Sequence, residues 1–202
     1  MKIKGNLVVI SGPSGSGKGT VCHALIKESS SLLVSVSATT RKPRGKEKDG
    51  IDYFFLTREH FEEMIAGDRL LEWADVYGNY YGTPREPVEK NLLMGRDVIL
   101  EIDVQGGLQV KNKYPQCILI FLIPPSRIQL EARLRQRGTD SDESIARRLN
   151  WAENEIKEVH KYNYLIINDR VEAAARKIEA IVTAESCRPA QLDVEAFLKA
   201  NW

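Results

Sequence analysis

The run Gly12-Pro13-Ser14-Gly15-Ser16-Gly17-Lys18-Gly19-Thr20 has the residue types and spacing to grip phosphate. Its glycines let successive backbone N–H groups turn inward on an anion, and a helix start beyond them adds partial positive charge. Lys18 reaches the outer phosphates of a nucleoside triphosphate. The apolar, strand-sized run Leu7-Val8-Val9-Ile10 ends just before this segment, and the helical pattern Val21, Cys22, Leu25, Ile26 begins just after it. ATP or GTP is the ligand this implies. Lys18 is followed by Gly19, where such loops usually carry the hydroxyl that helps hold Mg2+, so Thr20 must serve instead or act through water.

Moving a γ-phosphoryl group needs in-line positioning, Mg2+ across the phosphates and cations on the developing charge. Arg133, Arg137 and Arg148 are candidates for those cations. The first two share a face if helical, although a solvated basic surface has the same pattern. Arg41 and Arg44, three apart beside Ser37, Thr39 and Thr40, offer planar forks suited to a phosphate monoester, so the acceptor should carry phosphate too. A polar turn or a basic patch for a protein partner is the alternative. Tyr53 and Tyr81 can donate to the same phosphate or simply fill a core.

Base choice can rest on one carboxylate, because guanine presents adjacent N1–H and N2–H2 donors and adenine does not. Glu72, an acid inside the apolar run Leu70-Leu71-Glu72-Trp73-Ala74, is the candidate, against a plain helix-surface glutamate. Hydroxyls of Ser37 or Thr83 suit guanine O6, or else a cap or turn. Asp103, at the end of the apolar run from Val98 to Ile102, suits Mg2+ or its waters, with Glu101 on the same face.

These residues need a scaffold that brings them together. Strand-like runs recur at Leu7 to Ile10, Leu32 to Val36, Val98 to Ile102, Cys117 to Ile123 and Tyr164 to Ile167, mostly with helical patterns between them. That alternation predicts an α/β protein with a parallel sheet covered on both faces and ligands at the strands' carboxyl ends. Those ends carry Gly12, Ser37, Asp103, Pro124-Pro125 and Asn168-Asp169. The clearest helix follows Asp142, with Ile145, Leu149, Ala152, Ile156 and Val159 on one stripe; another spans Val171 to Glu185.

Two stretches break the alternation. Between Ser37 and Pro84 lies a basic, turn-rich segment followed by aromatics: Tyr53, Phe54, Phe55, Phe61, Trp73, Tyr77, Tyr80 and Tyr81 make eight of the chain's fifteen. This predicts a small inserted subdomain with its own core. The segment Arg133 to Asp140 reads as an irregular, arginine-bearing flap. Ser29-Ser30-Ser31 marks a loop, and Arg188 to Trp202 a loop plus a short helix.

The 202 residues, 43% of them apolar, suffice for a substantial core in one domain. With 29 basic and 28 acidic residues the net charge of +1 offers no broad attraction for nucleic acid or anionic membrane. No apolar stretch reaches spanning length and the N-terminus has no secretory pattern, so a cytoplasmic protein is expected, monomeric or a small homo-oligomer. Cys22, Cys117 and Cys187 are odd in number and widely spaced, and Cys22 and Cys117 read as reduced packing residues. His23, His60 and His160 form no metal-ligand spacing.

Taken together, the chain resembles the guanylate kinase family along nearly its full length, to about Glu185. The resemblance rests on Ser11-Gly12-Pro13-Ser14-Gly15 through Lys18, on Ser37-Ala38-Thr39-Thr40-Arg41-Lys42-Pro43-Arg44, on Glu72-Trp73-Ala74, on Gly78-Asn79-Tyr80-Tyr81-Gly82-Thr83, on Asp103-Val104-Gln105-Gly106 and on Arg137-Gly138-Thr139. It implies a three-layer P-loop NTPase fold with a core (1–36, 85–126, 151–187), a GMP-binding insert (37–84), a lid (127–150) and a C-terminal tail (188–202). The activity implied is ATP-dependent phosphorylation of GMP, and also of dGMP, with Mg2+. By the same resemblance Arg41, Arg44, Tyr53 and Tyr81 bind the acceptor phosphate, and Ser37, Glu72 and Thr83 bind guanine. Arg133, Arg137 and Arg148 are lid and core arginines, Asn168-Asp169 lie near adenine, and Asp103 lies in the nucleotide cleft. Gly19-Thr20 is closer to the adenylate kinase form of the loop. Scaffold domains of similar fold that bind phosphorylated partners are the runner-up, and the intact Lys18 loop argues against that reading. A kinase for AMP or dTMP is the alternative that Glu72 and Ser37 discriminate.

Overall fold

The computed structural model describes residues 4–28, 32–76, 78–136 and 141–202. Arg137 and Tyr77, both singled out by the sequence, lie outside them. The core sheet is built from β1 (Leu7–Ser11), β2 (Leu32–Val34), β7 (Asp97–Glu101), β8 (Ile118–Ile123) and β9 (Tyr164–Ile167), in the order β2-β7-β1-β8-β9. Every pairing in it is parallel, as the strand-helix alternation predicts. Residues of β1 alternate between faces. Val8 and Ile10 pack with Val21 and Leu25 of α1 (Lys18–Glu28) and with Ile178 and Val182 of α7 (Val171–Ser186). Leu7 and Val9 pack on the other face with Val88 and Leu92 of α3 (Arg85–Leu93) and Val110 of α4 (Val104–Lys113). A strand buried on both sides reads as a continuous apolar run, which is why β1 was legible. Cys22 and Cys117 are buried within these layers, and Cys187 is exposed.

The carboxyl end of β1 is held very close to its neighbour. A Cβ added at Gly12, whose φ is +149°, would lie 2.0 Å from the Leu122 carbonyl oxygen. Both atoms belong to backbone, so neither can swing aside. Gly12→Ala is therefore expected to cost roughly 3 kcal/mol or more and to lower Tm by roughly 10 °C. A thermal melt matching the wild type would show that the loop can relax.

The insert forms a separate four-stranded sheet in the order β4-β3-β6-β5. Its strands are β3 (Ala38–Thr39), β4 (Phe54–Phe55), β5 (Leu70–Val76) and β6 (Asn79–Pro84), with α2 (Arg58–Ala66) between β4 and β5. Thr57 caps α2 by accepting from the His60 amide. Phe61 of α2 is fully buried against Ala38 and Leu70, with Phe54, Leu56 and Tyr80 around them. The aromatics thus divide: some fill this small core, while Tyr53 and Tyr81 do not belong to it.

Arg133 is not on an irregular flap. It lies in α5 (Arg127–Gln136), which the spacing of Leu130 and Leu134 sustains by burying both against Ile145, Leu149 and Ala152 of α6 (Asp142–Lys157). Ser141 caps α6, and Asp142 and Glu143 suit its positive end. The tail is a 3-10 turn at Pro189–Gln191 and a short helix α8 (Val194–Asn201) with no buried residue.

Candidate active site

The phosphate loop joins β1 to α1, and its backbone turns at Gly12, Gly15 and Gly17, all with positive φ. Gly15 also admits a neighbour, since an added Cβ there would meet Leu130 at 2.9 Å and Leu134 at 3.1 Å. Helix α5 therefore rests directly on the loop. Lys18 opens α1, and its Nζ donates to the carbonyls of Gly12 (2.6 Å) and Pro13 (3.4 Å), so the ammonium lies over the loop. Burial pushes its pKa down, against the pull of Glu101, Glu155 and Asp103. Thr20 is exposed on the first turn of the helix.

Several distant residues converge here. Arg133 donates to the Ser16 carbonyl (3.2 Å) and to the Asn168 carbonyl (2.8 Å), while Asn168 Nδ2 donates to the same Ser16 carbonyl at 2.8 Å. Arg148, on α6, donates to Ser14 Oγ at 3.1 Å. Asn168 is buried at the end of β9, whereas Asp169 is exposed and accepts from the Arg170 amide. Ser16 Oγ and Asn168 Oδ1 are buried without a hydrogen-bond partner. Such atoms cost about 1–3 kcal/mol each unless something meets them.

The second half of the site is set by strand register. Ala38 pairs with Gly82 and with Phe54, and Gly82 pairs with Trp73. Stepping each strand by one residue puts Tyr53, Ser37, Thr83 and Glu72 in one transverse row across all four strands of the insert. The adjoining row on the same face contains Phe55, Thr39 and Tyr81. Ring contacts agree, with Tyr53 5.9 Å from Phe55 and 6.1 Å from Tyr81. Four strands span three spacings, roughly 14 Å.

Glu72 stands at one end of this row, on a strand and not on a helix surface. It is 5% exposed and accepts from Thr83 Oγ1 at 2.7 Å. The pairing of β5 with β6 is irregular between Leu70 and Trp73, which lets Leu71 join the core while Glu72 bonds Thr83. Burial pushes the Glu72 carboxyl up to about 7, although the Thr83 bond opposes the rise. Its Oε2 would lie 2.8 Å from a Cβ at Gly106, whose amide donates to Asp103 Oδ1 at 2.7 Å. Asp103 thus caps α4 and remains exposed, close to Glu72.

Arg41 stands at the other end. Its guanidinium lies over the Tyr53 ring at 4.9 Å and the Phe55 ring at 5.6 Å. Arg44 is exposed on the same turn. Two participants escaped sequence reading. Glu155 of α6 interacts with Lys18 and Asp103, and its seven-residue offset from Arg148, which puts both on one helix face, was the available signal. Glu47 holds Arg41 with both oxygens, and the sign of it was an acid ending a basic run.

The oxygen donors suit Mg2+. Among the described residues no cluster of three His, Cys, Asp or Glu forms a cage of its own. Thr20 lines a pocket with Gly17, Arg133 and Asn168, and Asp103 lines another with Glu155; each is a hard oxygen donor of the kind that completes the shell of an ion that arrives with phosphate and keeps several waters.

The guanylate kinase family pattern matches residues 4–185. The chain is 52% identical over 198 residues to a guanylate kinase of Carboxydothermus hydrogenoformans, covering 98% of this chain and 97% of that one. It is 54% identical over 188 residues to a guanylate kinase of Caldanaerobacter subterraneus subsp. tengcongensis, covering 93% and 91%. The crystal structure of guanylate kinase from Anaplasma phagocytophilum superposes with a TM-score of 0.80 at 32% identity, over 99% of this chain and 96% of that one. A phosphate loop on a parallel sheet, an insert whose face ends in a buried carboxylate, and these relatives lead to one conclusion: the chain belongs to the guanylate kinase family.

Proposed function

We infer that this chain transfers the γ-phosphoryl group of ATP to GMP, giving ADP and GDP, and that it also accepts dGMP. The observation that carries the reading is the row from Tyr53 to Glu72, which offers a carboxylate to a base at one edge of the insert and cations and phenols to a phosphate at the other. Ionised Glu72 accepts guanine N1–H and N2–H2, with Ser37 and Thr83 beside O6. Arg41, Arg44, Tyr53 and Tyr81 hold the acceptor phosphate. Residues 12–20 wrap the donor phosphates, and the unpartnered Ser16 hydroxyl has an anion to donate to. Asn168 Oδ1, likewise unpartnered, suits the adenine amino group, with Asp169 at the rim. Lys18, Arg133, Arg137 and Arg148 stabilise charge on the transferring group.

Thr20 and Asp103, the latter through water, are the residues to hold Mg2+, which when bound neutralises phosphate charge and aligns donor with acceptor. The core comprises 1–36, 85–126 and 151–187. The insert (37–84) and the segment 127–150 close on it and exclude water. Among the described residues no helix is long and apolar enough to cross a membrane; we place the enzyme in the cytoplasm, serving purine nucleotide metabolism.

Coupled assay of ADP release across GMP, dGMP, AMP, dTMP, UMP and no acceptor tests this. GMP and dGMP should turn over, and AMP should fall behind GMP by on the order of 10³-fold or more in kcat/KM, because it leaves Glu72 desolvated and unmatched. Comparable turnover of AMP would move base recognition elsewhere.

A further inference from the structure

Arg41 is engaged in an asymmetric way. Glu47 takes one N–H from each terminal nitrogen, Nη1 to Oε2 at 2.6 Å and Nη2 to Oε1 at 2.7 Å. The second N–H of Nη1 goes to the Lys42 carbonyl at 3.0 Å. A guanidinium has five N–H groups in one plane, so the pair that neither Glu47 nor Lys42 takes is Nε–H and the second N–H of Nη2. These two are adjacent and parallel, a complete side fork of the kind that grips a phosphate bidentately. Tyr53 and Tyr81, the phenols of the same pocket, lie within hydrogen-bonding reach of the Arg41 guanidinium, so a phosphate received there would meet the fork and both phenols together.

Glu47 is itself fixed. It closes a turn in which its amide donates to the Arg44 carbonyl (3.1 Å) while its Oε2 accepts from the Arg44 amide (2.8 Å). One carboxylate therefore sets the plane of Arg41 and the backbone that carries Arg44. With both oxygens of Glu47 on it, the end fork of Arg41 has no N–H left for an incoming anion. Bonds from Arg41 and from the Arg44 amide hold the Glu47 carboxyl down at about 2, so it is ionised.

We propose that Glu47 is a positioning residue for the acceptor: by filling the end fork of Arg41 it presents the side fork to the phosphate of GMP and sets the spacing of the two arginines. This rests on the reading of Arg41 as an acceptor-phosphate ligand. The proposal opposes simple electrostatics, which makes its sign informative. An anion near a phosphate site repels the ligand, so removing a carboxylate with no positioning role tightens GMP binding. Removing one that orients the fork weakens it.

Calorimetric titration of GMP and steady-state kinetics on the full chain distinguish these for Glu47→Ala, Glu47→Gln, Arg41→Met and the Arg41→Met/Glu47→Ala pair, all below their melting temperatures. Glu47→Ala should raise Kd and KM for GMP by about tenfold, with KM for ATP and kcat at saturating GMP within about threefold of wild type. Glu47→Gln, which keeps one acceptor oxygen, should fall between, and serves alone if the alanine variant does not fold. In the Arg41→Met background Glu47→Ala should add less than about twofold. Unchanged or tighter GMP binding in the Glu47 variants, with Arg41→Met weakened, overturns the proposal and leaves Arg41 as a phosphate ligand. Wild-type GMP affinity in Arg41→Met overturns both.

Discussion

Lys18→Ala should lower kcat by at least ~10²-fold while the protein stays folded. The lysine begins α1 with its ammonium against the carbonyls of Gly12 and Pro13, over the loop that we propose wraps the donor phosphates. It sits in a site dry enough to depress its pKa, and a charge in such surroundings interacts more strongly with a developing anion than it would in water. Alanine favours the helix, so the fold loses little. Single-turnover measurements with saturating ATP and GMP, beside a circular dichroism melt, check both parts. Wild-type turnover from a folded variant removes Lys18 from the chemistry.

Glu72→Gln should have two opposed effects. It replaces one of two acceptor oxygens by a donor facing the N–H groups of guanine, so kcat/KM for GMP should drop by on the order of 10³-fold. Stability should move the other way. The Glu72 carboxyl is raised from 4.5 to about 7 by burial, so the folded state holds this proton more tightly than the unfolded chain does. Its contribution to stability is full below about 4.5 and lost as pH rises through about 7, a cost of up to ~3 kcal/mol at pH 8. Glutamine carries no such cost, so the variant's Tm should exceed the wild type's at pH 8, and the difference should vanish only near pH 4, below the unfolded value. For the wild type, KM for GMP should rise as pH falls from 8 to 6, because the protonated carboxyl cannot accept both bonds. A Tm difference independent of pH would mean that Glu72 does not titrate in this range.

What the sequence disclosed divides by how local the physics is. The phosphate loop was legible because glycine conformation and helix onset are settled within a dozen residues, and the core sheet because its strands are buried on both faces. Glu72 was not decided: whether an acid in an apolar run lies on a helix surface or under a strand depends on Thr83 and Gly106, which the fold supplies from elsewhere. Tyr53, Ser37, Thr83 and Glu72 align only through register, which local composition does not reveal. The arginine-rich segment misled because charge outweighs apolar residues there, yet Leu130 and Leu134 suffice to carry Arg133 on a helix. Glu47 went unread because its meaning lies in which N–H groups it leaves unused.

Among the described residues, side chains of α4 tie the insert to the core along β5. Gln109 of α4 exchanges two hydrogen bonds with the backbone of Trp73, at 3.2 and 3.1 Å, and Lys113 donates to the Leu70 carbonyl at 3.0 Å. All three bonds fasten β5, and β4 is the opposite edge of that sheet. If Glu72 reads the base and Arg41 grips the phosphate, as proposed, any swing of the insert is a lever with its fulcrum beside Glu72 and its long arm at Arg41. On that reading letters of the base are matched at the still end, while the travelling end carries the nucleophile.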